Sequence, residues 1–287
     1  MKNMIIGIIP LYKPDKKDFP NIINYIDQLD YCFLLDDTGI DNSSYCQELV
    51  DINPQKIEYV CNEKNIGLCA SVNRGYYLAT SKGADWILIM NPDGTFKNDA
   101  LSIYREYIKN NDTSKIAIIA PRFNLDRRKR DAKKGTSYIK FPDMSGCLYN
   151  TKIASKIGFY DPKTYFYSLD IEYCIRVRKM GYKIIECSEA VLNHYPAETF
   201  NVKVLGKTIF KCGRDNPQRY YYQFRTGYYI HQKYHDLYNF SISMYKFLKV
   251  IFLFDNKKEY IKMIKLGIKD AKKGFFGNIN ERRNPQK

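Results

Sequence analysis

The chain has 287 residues, 45% of them hydrophobic, enough to bury the core of one large domain or of a domain with an appendage, which excludes a disordered chain. Its 46 Lys plus Arg against 31 Asp plus Glu give a formal charge of +15. This favours anionic partners such as sugar nucleotides, lipid headgroups or nucleic acid, without choosing among them.

The first apolar stretch, Met4 to Pro10, is too short for a membrane span and lacks the longer apolar region and cleavage site of a signal peptide. Apolar runs at Met4 to Pro10, Tyr31 to Asp36, Ile57 to Cys61, Trp86 to Asn91 and Ile116 to Pro121 are the expected strands. Between them, Phe19 to Leu29, Leu68 to Ser81 and Asp99 to Asn110 carry apolar residues at helical spacing, with Asp99 where an N-cap belongs. Alternating strands and helices predict a layered α/β fold around a mostly parallel sheet. Such sheets bind ligands beyond the carboxyl ends of their strands, where Asp36-Asp37 and Asn91-Pro92-Asp93 fall.

From Arg127 to Lys134, six of eight residues are basic, either a solvated loop or a flap that meets phosphates. Phe141 to Asn150 and Lys183 to Val191 read as further strands, separated by a helix from about Asp170 to Met180. Helical patterns then cover Pro217 to His235, Ser241 to Phe254 and Asn256 to Lys273. The tyrosines Tyr220, Tyr221, Tyr222, Tyr228 and Tyr229 fit a packed helix face or a sugar-stacking wall. In the last helix Ile261, Ile264 and Ile268 share one face, with lysines over much of the rest. That pattern suits an anionic membrane surface, or a core-facing helix with a solvated basic back.

Eight cysteines, at 32, 46, 61, 69, 147, 174, 187 and 212, include no Cys-x-x-Cys pair. They read as reduced core thiols rather than disulfides or zinc ligands, so the expected compartment is the cytoplasm. A Gly-x-Gly-x-x-Gly fingerprint and a phosphate loop are both absent, which argues against a dinucleotide dehydrogenase and a P-loop ATPase.

Over residues 4 to 235 the motifs, in their order, resemble the inverting glycosyltransferases of family 2 with the GT-A fold, a group that includes rhamnosyl- and galactofuranosyltransferases of O-antigen and capsule assembly. Ile9-Pro10-Leu11-Tyr12 and Leu34-Leu35-Asp36-Asp37-Thr38-Gly39 resemble the family's first two nucleotide-contacting strand ends. Asn65-Ile66-Gly67, followed by Asn73-Arg74-Gly75, resembles its most specific signature. The resemblance implies a nucleotide-sugar site made of Pro10, Tyr12, Asp36, Asn65, Gly67, Asn73, Asn91 and Asp93, with Asp36 on the base. Asn91-Pro92-Asp93 stands where the family has Asp-x-Asp, so Asn91 replaces the first acid and Asp93 is the expected metal ligand; a plain Asn-Pro-Asp-Gly turn is the alternative. His194, in Leu192-Asn193-His194-Tyr195, resembles a late histidine that completes the metal shell, and Arg225 a late arginine that meets phosphate or holds the C-terminal helices.

The run Phe166-Tyr167-Ser168-Leu169-Asp170-Ile171-Glu172 resembles the acceptor-side loop and base-bearing helix, with Asp170 on the catalytic base and Leu169 in place of a first acid. A carboxylate there takes the proton of the attacking hydroxyl; at a helix start, Asp170 equally fits an N-cap. Gly146, Asp161 and Glu172 are expected on the acceptor side.

The resemblance thus implies a GT-A domain over 1–215 and a basic helical segment over 216–287. The expected activity is transfer of one sugar from a UDP- or dTDP-linked rhamnose, galactofuranose or hexose to a polysaccharide or lipid-linked acceptor. A divalent metal, Mn2+ or Mg2+, is the expected cofactor, and the expected location is the inner face of the cell membrane. Nucleic acid is not expected as a partner, since no binding motif accompanies the charge. A sugar nucleotidyltransferase lacks support because the Gly-rich loop after the first strand is missing, while a non-catalytic scaffold is the reading suggested by Asn91 and Leu169.

Overall fold

A computed structural model of the protein describes residues 3–124, 134–194, 198–204 and 207–283. All but the last residue of the basic run 127–134 lie outside them. The chain forms two compact units, residues 1–160 with 173–195, and residues 161–172 with 196–287. The line drawn at 215/216 on the sequence falls inside the second unit.

The first unit is built on strands β1 (Ile5–Leu11), β2 (Tyr31–Asp36), β3 (Ile57–Cys61), β4 (Trp86–Ile89), β5 (Thr95–Phe96), β6 (Ile116–Asn124), β7 (Thr136–Tyr138), β8 (Cys147–Asn150) and β9 (Lys183–Asn193). They join one sheet in the order β3-β2-β1-β4-β8-β6-β9-β5, with β7 also on β9. The strands β3, β2, β1 and β4 pair in parallel, as do β6 and β9; β8, β5 and β7 run against their neighbours. Helices α1 (Phe19–Ile26), α2 (Ser43–Val50), α3 (Leu68–Ser81), α4 (Ala100–Asn110) and α5 (Thr151–Ile157) flank it.

The strand sequences read as continuous apolar runs because both sheet faces are covered. From β1, Ile5, Ile9 and Leu11 enter one core with Phe19, Ile22, Trp86 and Tyr104. On the other face Ile8 and Leu35 meet α3 closely enough that a Cβ on Gly75 would collide with both. Full burial of each such Ile or Leu stabilises the fold by about 1.5–3 kcal/mol. Among the described residues none of the eight cysteines is joined in a disulfide, and seven are buried.

Helix α6 (Leu169–Lys179) contributes its first turn to the second unit and the rest to the first. The second unit adds an antiparallel hairpin, β10 (Glu198–Val204) and β11 (Lys207–Arg214), and three helices, α7 (Pro217–Tyr234), α8 (Leu237–Leu253) and α9 (Lys257–Lys272). Tyr220, Phe224, Val250, Phe254, Tyr260 and Ile264 form its core, with Ile261 and Ile268 packed against it. The apolar face of α9 is therefore spent on α7 and α8, which answers the two readings of that helix in favour of a core-facing one with a basic back. At the crossing of α7 and α9, a Cβ on Gly267 would strike the Tyr221 carbonyl oxygen, so only glycine lets the two backbones approach this closely. Tyr220, Tyr221 and Tyr222 are buried, the packed face rather than a stacking wall. Arg225, with no exposed surface, donates to the carbonyls of Phe276 (2.9 Å) and Gly277 (2.6 Å) and holds the C-terminal segment. Among the described residues no helix is long and apolar enough to cross a membrane.

Candidate active site

Within the first unit the expected donor residues converge at the carboxyl ends of β1, β2 and β4. Pro10 is buried near the end of β1 in register with Leu35, and Tyr12, just beyond the strand, is 58% exposed. The next residue, Lys13, has φ 50 and donates its N–H to the Thr38 hydroxyl. Thr38 in turn is held by Asp36, whose Oδ1 accepts from the Thr38 N–H at 2.9 Å. The other carboxylate oxygen of Asp36 accepts from Asn42 Nδ2 (2.7 Å) and the Tyr59 hydroxyl (2.8 Å). Asp36 is thus fully buried and shapes the loop after β2, with both oxygens engaged by the protein itself.

Its neighbour Asp37 ties that loop to the next: its carboxylate accepts from the N–H groups of Ile66 and Gly67 and from Asn62 Nδ2, each at 2.9 Å. Gly67 precedes α3 with φ 88, a conformation that side chains other than glycine's rarely adopt. Asn65 is half-buried in this loop. Asn73, one turn into α3, reaches elsewhere: its Nδ2 donates to the Tyr160 carbonyl at 2.9 Å and its Oδ1 accepts from the Tyr160 N–H at 3.2 Å.

After β4, the Gly94 N–H donates to the Asn91 carbonyl at 3.0 Å, closing the Asn-Pro-Asp-Gly turn. The Asn91 N–H donates to Ser145 Oγ, and Ser145 is oriented by the Asp143 carboxylate through its own N–H. Gly146 follows, its N–H on the Ile89 carbonyl and its own carbonyl on the Tyr104 hydroxyl, so it seats this loop beside β4.

The turn leaves the Asp93 side chain 52% exposed, with Oδ1 3.4 Å from Nδ1 of His194 at the end of β9. The His194 side chain is only 3% exposed; its Nε2 lies 3.7 Å from Asp143 Oδ1, while its Nδ1 makes no hydrogen bond. Burial pushes the imidazole's value down, but the two carboxylates outweigh it and hold the value above the ordinary one. Asp18, before α1, has a carboxyl raised chiefly by burial, with the charges of Asp15 and Asp93 adding to it. Negative potential therefore gathers around Asp93. Among the described residues no three His, Cys, Asp or Glu side chains are grouped so as to hold a metal by themselves.

In the second unit, Asp170 is half-buried in the first turn of α6, where the helix dipole favours a carboxylate, and its Oδ1 accepts from the Ile171 N–H at 2.8 Å. The loop ahead of it holds two strained residues, Tyr165 at φ 45 and Ser168 at φ 59. Such strain persists where packing over-determines the backbone, and here Tyr165 stacks on Tyr222 (5.5 Å between ring centroids) under the Arg225 guanidinium. Asp161 accepts from the Tyr229 hydroxyl (2.6 Å) and Lys233 Nζ (2.7 Å). Glu172, with no exposure, accepts from Lys233 Nζ and from the Tyr234 hydroxyl. Both acids anchor α7 as ion-pair partners.

Sequence reasoning quotes Asp37 within a strand-end motif without giving it a role, and passes over Asp143 and Lys233. Asp37 and Asp143 stand beside motif residues already singled out, and that adjacency was the available signal. Lys233 carries none, because its partners lie 61 and 72 residues away.

The family model described as glycosyl transferase family 2 matches residues 8–169. The dTDP-rhamnosyl transferase RfbF of Shigella flexneri is 23% identical over 303 residues, covering 96% of this chain and 98% of that one. The crystal structure of GalNAc-T7 with UDP, GalNAc and Mn2+ superposes with a TM-score of 0.57 at 10% identity, over 71% of this chain. The match spans 45% of that larger chain, so it speaks for the fold. With the family model matching more than half of its length and the fold that of a GT-A enzyme, the chain belongs to glycosyl transferase family 2 and is a glycosyltransferase.

Proposed function

We propose that the protein is an inverting rhamnosyltransferase that moves one rhamnose from dTDP-rhamnose to a saccharide or lipid-linked saccharide acceptor, working at the cytoplasmic face of the membrane. The donor is narrowed from the wider set of UDP- and dTDP-sugars by likeness to the RfbF enzyme, whose name states dTDP-rhamnosyl transfer, over nearly the whole length of both chains. In this reading residues 1–215 handle donor and acceptor, and 216–287 form the basic helical segment that meets the membrane.

The observation that carries the reading is the Asp93–His194 pair at the end of β4, a half-exposed carboxylate against a buried imidazole whose Nδ1 makes no hydrogen bond. Two protein ligands suit a hard cation that takes its remaining ligands from substrate phosphates and water, as the Mn2+ and UDP named for the GalNAc-T7 structure suggest. Asp93 and His194 would hold Mn2+ or Mg2+, whose chemistry is to neutralise the diphosphate as it departs. Pro10, Tyr12, Asn65, Gly67 and Asn91 surround the nucleotide sugar, while Asp36 shapes the wall it rests on.

Asp170 then accepts the proton of the acceptor hydroxyl as that oxygen bonds the anomeric carbon and the bond to the diphosphate breaks. One displacement inverts the configuration, whereas retention by two displacements needs a nucleophilic carboxylate as well. Gly146, Asp161 and Glu172 support the acceptor side by holding loops and helices in place. Calorimetric titration with dTDP and UDP, with and without Mn2+, tests the reading. Metal-dependent binding that prefers dTDP is expected, and absence of binding by a folded sample would overturn it.

A further inference from the structure

The structure leaves one helix of the second unit with a large apolar face uncovered. In α8, Leu237, Met244, Tyr245, Leu248 and Phe252 are 74%, 44%, 54%, 44% and 71% exposed. Their spacing of i, i+7, i+8, i+11 and i+15 puts them on a single stripe about 120° wide, running the helix's length of about 25 Å. The opposite side, with Val250 and Asn239, is buried against the rest of the unit. An uncovered stripe of this kind marks an interaction site rather than ordinary surface.

Two further observations name the occupant. The segment 241–287 holds 12 Lys plus Arg and 4 Asp plus Glu, a net +8, and the lysine back of α9 is free of the core now that its isoleucines face inward. The hairpin β10–β11 also carries exposed Ile209 and Phe210 between Lys207 and Lys211, and its base is fastened to α8 through Lys249 Nζ on the Gly213 carbonyl at 2.7 Å and Phe200 against Phe254. A protein partner would match one contour. The apolar stripe, the exposed Ile209–Phe210 pair and the surrounding lysines together instead match an interface that is apolar below and anionic above, the boundary zone of a charged bilayer.

We infer that α8 is an interfacial anchor whose outer stripe enters the acyl boundary of an anionic membrane, with Ile209 and Phe210 as a second insertion point and the lysines of α9 supplying long-range attraction. The inference deepens the membrane part of the proposed function. It moves the insertion from the isoleucine face of α9, where the sequence pattern pointed, to α8.

The test uses the full chain and vesicles of phosphatidylcholine, with or without about one third phosphatidylglycerol, a composition at which each basic residue near the surface contributes measurably. Sedimentation with the anionic vesicles is expected, falling at least tenfold in the double variant Leu248→Ser, Phe252→Ser, with unchanged melting temperature and donor binding. A Leu248→Trp reporter should shift its emission to the blue on vesicle addition, against the constant background of buried Trp86. Vesicle binding that survives the double substitution, or a reporter that does not shift, would overturn the assignment to α8. A wild-type dimer in light scattering that the double variant dissolves, without vesicle binding, would assign the stripe to a second copy. Failure to bind vesicles, with donor binding intact, would sink the anchor and leave the transferase reading standing.

Discussion

Lys233 is joined to Glu172: the ammonium lies 3.1 Å from a carboxylate with no exposed surface and, from the same position, 2.7 Å from Asp161. The pair ties the first turn of α6, which carries Asp170, to the end of α7. Lys233 itself is 35% exposed, but removing it strands the charge of the buried Glu172. Lys233→Met should therefore destabilise the protein by about 3 kcal/mol in urea unfolding. Adding Glu172→Gln should recover part of that loss, and a Lys233→Met protein as stable as wild type would show that the pair holds nothing.

Asp161 makes the same network pH-dependent. Burial would raise its carboxyl, but hydrogen bonds from Lys233 and Tyr229 outweigh burial and hold it below its ordinary value of 3.8. A carboxyl depressed in the folded state binds fewer protons there than when unfolded. Its contribution is present above the ordinary value and is lost as pH falls through the folded one. The stability gap between wild type and Asp161→Asn should narrow as pH is lowered from about 5 to about 3. A gap constant over that window contradicts the assignment.

Asn73 is engaged by the backbone of Tyr160 rather than left open to a ligand. Both ends of its amide are taken by Tyr160, so Asn73→Ala leaves a backbone N–H and a carbonyl without these partners and should cost about 1–3 kcal/mol. Affinity for dTDP should change little in the folded variant. A large loss of affinity with no loss of stability would return Asn73 to the nucleotide itself.

Much of the fold was legible in the sequence. Leu68–Ser81 appears as α3 with the expected bounds, and Asp99 caps α4 through the Ser102 N–H. In these segments period and capping agree, and packing reinforces both. Helix α5 and the hairpin β10–β11 were not read. Thr151–Ile157 is too short to display a period, and Lys207–Arg214 mixes lysines with apolar residues on a strand that is mostly exposed. For the candidate site the sequence offers positions but not their surroundings. Asp36 and Glu172 are acids in motif order, yet the fold surrounds each with donors from outside its motif, Asn42 and Tyr59 for the first and Lys233 and Tyr234 for the second, which the motif itself cannot carry. The exposed stripe of α8 was hidden for a related reason: a helix apolar on most sides does not announce which side the core will cover.

Chelation should reveal the metal. With EDTA the rate of sugar transfer should fall to background and return with Mn2+, and His194→Ala should raise the Mn2+ concentration for half-maximal rate by about tenfold, or about 1.4 kcal/mol. Transfer that continues undiminished in EDTA would remove Asp93 and His194 from that role.

The most direct test is to measure dTDP release from dTDP-rhamnose in the presence of acceptor for wild type and Asp170→Asn, with donor affinity determined on the same samples. If Asp170 is the base, the rate falls by about a hundredfold or more while donor affinity holds. A variant that turns over at the wild-type rate would contradict the account, and the proton would have to leave by another group.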